Sequence, residues 1–256
     1  MLPGHIGLPA TAWCDRPLGA ALAQIGLRAR FAEVYSAFDH SLLEPRNQRA
    51  ALASGLRLTV HGPWEGAEIG VPDEAARRRG VELHRRHVEA AAAVGAETYV
   101  VHPDYSVTPR PRDARVRAAL ERSVADLEQV QRETGVRVTL ENLGGREHTH
   151  FAAPGDLGLG ALGLTLDTGH AAAGGDLAAF LSRRDDGLVH VHLHDNPGGD
   201  ARDDPHLPLG RGVVDAAAVL ALAREAQATV ILELLMPGDV DASIAYLVAE
   251  GLAEER

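Results

Sequence analysis

Eight short apolar runs, each rich in Val, Leu, Ile or Thr, recur along the 256 residues, separated by Ala/Leu/Arg segments of helical period. Strand and helix periods that alternate in this way leave few architectures. Parallel strands joined by helical crossovers form either a closed barrel or an open doubly wound sheet. Strands are expected at His5–Pro9, Ala32–Ser36, Leu56–His61, Thr98–His102, Val136–Glu141, Leu162–Asp167, Leu188–His194 and Thr229–Leu235. The clearest helices are expected at Asp73–Val94, Asp113–Thr134 and Val213–Ala226; the first opens on Pro72-Asp73 and is followed by Gly95. Eight strands in about 250 residues is the count of a (β/α)8 barrel. An open sheet would carry a Gly-rich phosphate turn after its first strand, and His5-Ile6-Gly7-Leu8-Pro9 is no such turn. No Ser/Pro-rich linker or low-complexity tract interrupts the pattern. The expectation is an α/β chain forming a single TIM-barrel domain over residues 1–256.

Composition narrows the chemistry. All 25 basic residues are arginine, so neither a Schiff-base lysine nor a P-loop lysine is available. The net charge of −11 argues against a strongly cationic groove over the whole surface. No apolar run reaches the roughly 20 residues of a membrane span, and no basic region followed by an apolar stretch marks a leader at the N-terminus. The lone Cys14 excludes an internal disulfide and points to the cytoplasm. Thirteen histidines are many for a chain of this size, and they need an explanation.

Their placement supplies it. Strand three ends at His61, strand four at His102, strand five at Glu141 and strand six at Asp167, with His170 three residues on. Strand seven carries His190, His192 and His194 on one face, because side chains alternate along a strand. Asp204 and His206 follow in the next loop, and strand eight carries Glu233. The C-terminal rim of such a barrel is where catalytic groups gather. Six consecutive strands therefore aim His, Asp or Glu at one mouth. One such residue alone is more often a hydrogen-bonded rim group, but converging carboxylates repel unless they are paired or bind metal. The donors are nitrogen and oxygen only, a set that suits zinc, manganese, iron or cobalt. Trp64, His194 and Arg211 are expected to touch substrate. His84 and His87, among Arg85, Arg86 and Glu89, are expected to be solvated, and His40 to start a helix. His148 and His150 belong to a loop, and His190 is expected in the core beneath His192.

In order and spacing this set resembles the xylose isomerase-like TIM-barrel superfamily, which includes endonuclease IV (AP endonuclease family 2) and sugar isomerases and epimerases. Glu141, Asp167, His192 and Glu233 match the single-metal core of the epimerases. The five further ligands of a trinuclear zinc cluster are matched by His61 in His-Gly-Pro-Trp, His102 in Val-His-Pro, His170 in Asp-Thr-Gly-His, and Asp204 and His206 in Asp-Pro-His. The resemblance implies one site of His61, His102 and Glu141. A second comprises Asp167, His192 and Glu233, with Glu141 bridging, and a third His170, Asp204 and His206. It implies two or three divalent ions, zinc foremost, and a phosphodiester or phosphomonoester hydrolase in which Glu141 bridges ions and Glu233 also relays a proton. The alternative it implies is a one-metal sugar or sugar-phosphate isomerase or epimerase, with Glu141 and Glu233 as acid and base. Either way the partner is a small phosphorylated or sugar-containing molecule, with DNA a further candidate.

Overall fold

The computed structural model describes residues 2–106, 112–182, 187–199 and 204–253. Eight parallel strands close into a barrel in chain order. They are β1 (Ile6–Pro9), β2 (Phe31–Tyr35), β3 (Arg57–His61), β4 (Thr98–Val101), β5 (Arg137–Glu141), β6 (Gly163–Asp167), β7 (Leu188–His192) and β8 (Thr229–Ile231). Pairing of Ile6 with Val230 closes the ring. The α/β barrel expected from the sequence is the fold observed. Seven of the eight strands are one to four residues shorter than expected and β2 is shifted back by one; the largest shortfalls, in β7 and β8, fall at the C-terminal end, where the rim residues leave the ladder.

Helices α1 (Leu18–Gly26), α2 (Pro45–Ser54), α3 (Glu74–Ala93), α4 (Ala114–Thr134), α5 (Thr168–Ala173), α6 (Leu177–Ser182), α7 (Ala216–Ala226) and α8 (Pro237–Ala249) surround it. Local chemistry sets their ends. The Asp73 carboxylate caps α3 by accepting from the Ala76 amide, Asp113 caps α4 through Arg115, and Asp215 caps α7 through Ala218. Gly135 stops α4 in the left-handed conformation that glycine adopts without strain. Helix α4 buries Val116, Leu120, Val124, Leu127 and Val130 against the barrel, each stabilising the fold by roughly 1.5–3 kcal/mol. On α3, Gly80 lies where a Cβ would collide with the Glu68 carbonyl, so glycine lets the helix pack tightly there.

The same inward face of α3 overturns one expectation. His84 and His87 are buried, not solvated. They share a stripe with Arg77, Gly80, Val81, Val88 and Ala91, which the helical period carries inward while the intervening Arg85 and Arg86 face out. His84 bridges the Tyr99 hydroxyl (3.0 Å) and the Ala67 carbonyl (3.0 Å), and His87 meets Ser36 Oγ at 2.9 Å. His40 likewise does not start a helix. It ends a single 3-10 turn (Phe38–His40), buried against the Arg16 carbonyl at 2.8 Å, and α2 begins only at Pro45, whose ring fixes φ for a first helical turn.

Among the described residues no helix joins β5 to β6. Residues 142–162 form an irregular loop instead, tied down by Asp104. That carboxylate accepts from the Thr149 hydroxyl (3.1 Å), the His150 amide (2.9 Å) and the His150 ring (2.8 Å). His148 donates to the Ser106 carbonyl at 2.6 Å. Both loop histidines are buried as struts of this loop. Register decides what fills the barrel. Glu33 pairs with Thr59, Thr139 with Gly163, and Thr165 with His190. The middle of the barrel is therefore polar, where branched apolar residues are the rule.

Candidate metal centre

The C-terminal ends of the strands frame a cavity of about 360 Å³, lined by residues that include Glu33, His61, Trp64, His102, Glu141, His170, Asp204, His206 and Glu233. His61, Glu141, Asp167 and His192 are the last residues of β3, β5, β6 and β7, and His102 and Glu233 follow β4 and β8 by one and two residues. Asp167 also caps α5, accepting from the His170 amide at 2.6 Å, so the Asp-Thr-Gly-His run turns His170 back toward the strand end.

Three groups of side chains converge. His61 Nε2, His102 Nε2 and Glu141 Oε2 form a triangle with sides of 3.2, 3.2 and 3.1 Å. Ligands bound to zinc at about 2.0–2.1 Å in a tetrahedron lie about 3.3 Å apart, so the triangle has the size of one tetrahedral face. Glu141, Asp167, His192 and Glu233 make the second group, with His192 Nδ1 3.3 Å from Glu141 and 3.2 Å from Glu233. His194, Asp204 and His206 make the third, and Asp204 Oδ2 lies 3.1 Å from His170 Nε2 and 2.9 Å from His206 Nε2. All nine residues expected as ligands meet at this mouth.

The electrostatics carry the same mark. Burial raises the pKa of Glu141, but His102 and His192 hold the carboxyl well below its usual range. Glu233 behaves alike beside His192 and His206. Burial works against the charged ring of His170, yet Asp167 and Asp204 raise its pKa well above the ordinary value. His206, in the same balance with Asp204 and Glu233, rises to about 9. Carboxylates and imidazoles packed this closely are balanced either by protons on the rings or by a divalent cation in their place. The donor atoms fit that group. His192 Nδ1, Asp204 Oδ1 and Glu233 Oε2 are buried with no hydrogen-bond partner among the described residues, and such orphans are costly unless an ion takes them up.

The three residues expected to touch substrate fare differently. Trp64 lines the cavity and is 50% exposed at its rim. His194 is fully buried beneath it, its Nε2 3.1 Å from Asp167 Oδ2, and belongs with the third group. Arg211 is exposed and outside the lining, and its backbone amide donates to Asp195 Oδ2. The Gly-Arg-Gly turn serves as a clamp for that buried aspartate. One site residue was missed. Glu33 lines the cavity floor from the middle of β2, where its apolar neighbours Phe31, Ala32 and Val34 give no sign of a site.

Comparison with known proteins agrees with this geometry. The profile of the xylose isomerase-like TIM barrel family matches residues 20–250. The probable endonuclease 4 of Mycobacterium ulcerans is 30% identical over 249 residues, covering 90% of this chain and 93% of that protein. The uncharacterized protein MJ1614 of Methanocaldococcus jannaschii is 28% identical over 204 residues, covering 78% and 79%. A solved D-tagatose 3-epimerase-like protein superposes with a TM-score of 0.81 at 23% identity over 98% of both chains, a likeness of fold. With a family profile that spans most of its length and a relative matched nearly end to end, the chain belongs to the xylose isomerase-like TIM barrel family.

Proposed function

We propose that the protein is a divalent-metal-dependent hydrolase of phosphoesters, with His61, His102, Glu141, Asp167, His170, His192, Asp204, His206 and Glu233 as its ligands and zinc as the favoured ion. The observation that carries this reading is the third group. Asp204 offers a buried, unpartnered oxygen between His170, His194 and His206, a cation position that a one-metal reaction does not need. Charge favours the same conclusion. Glu33, Glu141, Asp167, Asp204 and Glu233 crowd one mouth, with no arginine among the described residues of its lining, and one divalent ion offsets only part of that charge. When bound, such ions polarise a phosphoryl oxygen, activate water and stabilise the leaving oxygen. Glu141 reaches toward two groups at once, His61 and His102 on one side and His192 on the other. Glu233 sits at the cavity edge where it can pass a proton. Trp64 offers an apolar wall for a ring of the substrate. With an acidic surface, the substrate is a small phosphodiester or phosphomonoester before it is a DNA duplex.

Metal analysis of protein purified without chelator, paired with turnover of bis(p-nitrophenyl) phosphate and p-nitrophenyl phosphate, tests the reading. Two or three ions per chain and metal-dependent cleavage are expected; one ion and no cleavage would overturn it.

A second reading rests on one observation. Glu141 and Glu233 flank His192 Nδ1 at 3.3 and 3.2 Å, and two carboxylates beside one ion can move a proton between the faces of a carbon. Interconversion of ketoses by protein holding a single manganese or cobalt ion would favour it.

A further inference from the structure

We propose that Glu33 is a positioning residue that fixes which nitrogen of His192 faces the metal. The inference rests on the metal-dependent reading above. Glu33 lies in the middle of β2 and is 3% exposed. Its Oε2 accepts from the Thr59 hydroxyl at 3.1 Å and lies 3.1 Å from His190 Nε2. Both its oxygens approach His192 Nε2, Oε1 at 3.2 Å and Oε2 at 3.4 Å.

The opposite edge of the same ring, Nδ1, faces Glu141 and Glu233 and has no hydrogen-bond partner. A neutral imidazole carries one proton and one lone pair on its two nitrogens. An ionised carboxylate only accepts, so Glu33 requires the proton on Nε2 and leaves the Nδ1 lone pair for an ion. Ring contacts hold the plane: His61 stacks on His192 at 5.7 Å and 21°, and His190 meets it edge-on at 5.2 Å. His190 is anchored in turn by Thr229 Oγ1 at 2.6 Å.

The arrangement explains why a carboxylate occupies a barrel interior. Buried donors surround the carboxylate, Thr59 Oγ1 and the Nε2 atoms of His190 and His192, and a carboxylate behind a ligating imidazole makes that ring a stronger electron donor. Glu33, His190 and His192 could themselves surround a cation. That use is disfavoured, because Glu33 Oε2 already faces three donors and both nitrogens of His190 are engaged.

The test uses full-length protein stripped and titrated with Co2+, read by its visible absorption, with Zn2+ competition. Glu33→Gln should weaken one ion roughly 10–100-fold and shift its spectrum while the circular dichroism stays unchanged. A second measurement needs no variant. In wild-type protein loaded with 113Cd, the His192 ring, assigned by its loss in His192→Gln, should couple to the metal through Nδ1 and keep a slowly exchanging Nε2 proton. Wild-type protein that takes up no ion would overturn the metal reading itself. Uptake by wild type with Glu33→Gln matching it in affinity and spectrum would overturn the role of Glu33 alone, as would coupling through Nε2. Loss of one additional ion with the others unchanged would make Glu33 a ligand instead.

Discussion

His194 lies flat against His206, ring centroids 4.0 Å apart and planes within 13° of parallel. The stack joins two parts of the site that are distant in sequence. His194 reaches Asp167 at 3.1 Å, and His206 reaches Asp204 at 2.9 Å. The loop carrying Asp204 is thereby locked to the strand end that carries Asp167.

Replacing Asp204 and His206 together by Ala removes both ends of that lock's outer half. Metal content should fall by about one ion per chain, and phosphoester turnover by several orders of magnitude, since electrostatic stabilisation of the developing charge is usually the largest catalytic contribution. Elemental analysis and steady-state kinetics check this together. Unchanged metal content would shift the assignment to the one-metal epimerase.

Glu141→Gln keeps the shape of the side chain and deletes its charge. A neutral amide cannot serve cations on both sides, so activity should drop by at least a hundredfold while the fold persists. Full turnover by this variant would make Glu141 merely structural.

Gly169 has no room for a side chain, because a Cβ there would overlap the His194 ring. Gly169→Ala should displace His194, lower stability by about 1–3 kcal/mol and weaken ion binding, since overpacking forces neighbours off their rotamers. Chemical denaturation and Co2+ titration measure the two effects separately.

Acidification should destabilise the protein through α3. Burial lowers the pKa of His84 to about 3 and that of His87 to about 4 from an ordinary 6.5. As pH falls below 6.5 the unfolded chain takes up protons that the folded histidines refuse, so each costs stability by up to about 1.4 kcal/mol per pH unit until its folded pKa is reached. Urea unfolding from pH 4.5 to 7 should give His84→Gln a shallower dependence than wild type. Parallel profiles would show that His84 does not set the slope.

Removing bound ions should lower stability in proportion to their affinity, since ligands of the native state stabilise by mass action. Thermal unfolding with and without chelator should shift the midpoint downward, reversibly on adding zinc. No shift would mean that these residues hold no ion in solution.

Much of the fold was legible because it rests on local periods. Eight runs and the spacers between them required parallel strands, and parallel strands in chain order put all their C-terminal ends at one rim. His61, Glu141, Asp167 and His192, each written at the end of a run, therefore had to meet. Their spacing along the chain was enough, since closure of the barrel is the only step between sequence order and convergence.

What the tertiary structure decided is what lies across elements. Nothing in the sequence near Glu33 shows that barrel closure carries it beneath His192, because β2 and β7 meet only through the interior. His84 and His87 read as solvated until α3 was packed against β4 and α4, which fixed its inward face. Arg211 lay in a promising motif, yet its amide and that of Gly212 were drawn to Asp195, leaving its side chain outside the cavity. A chain encodes its periods within each segment, whereas the partner of a buried polar atom depends on register, roll and closure, which only packing fixes.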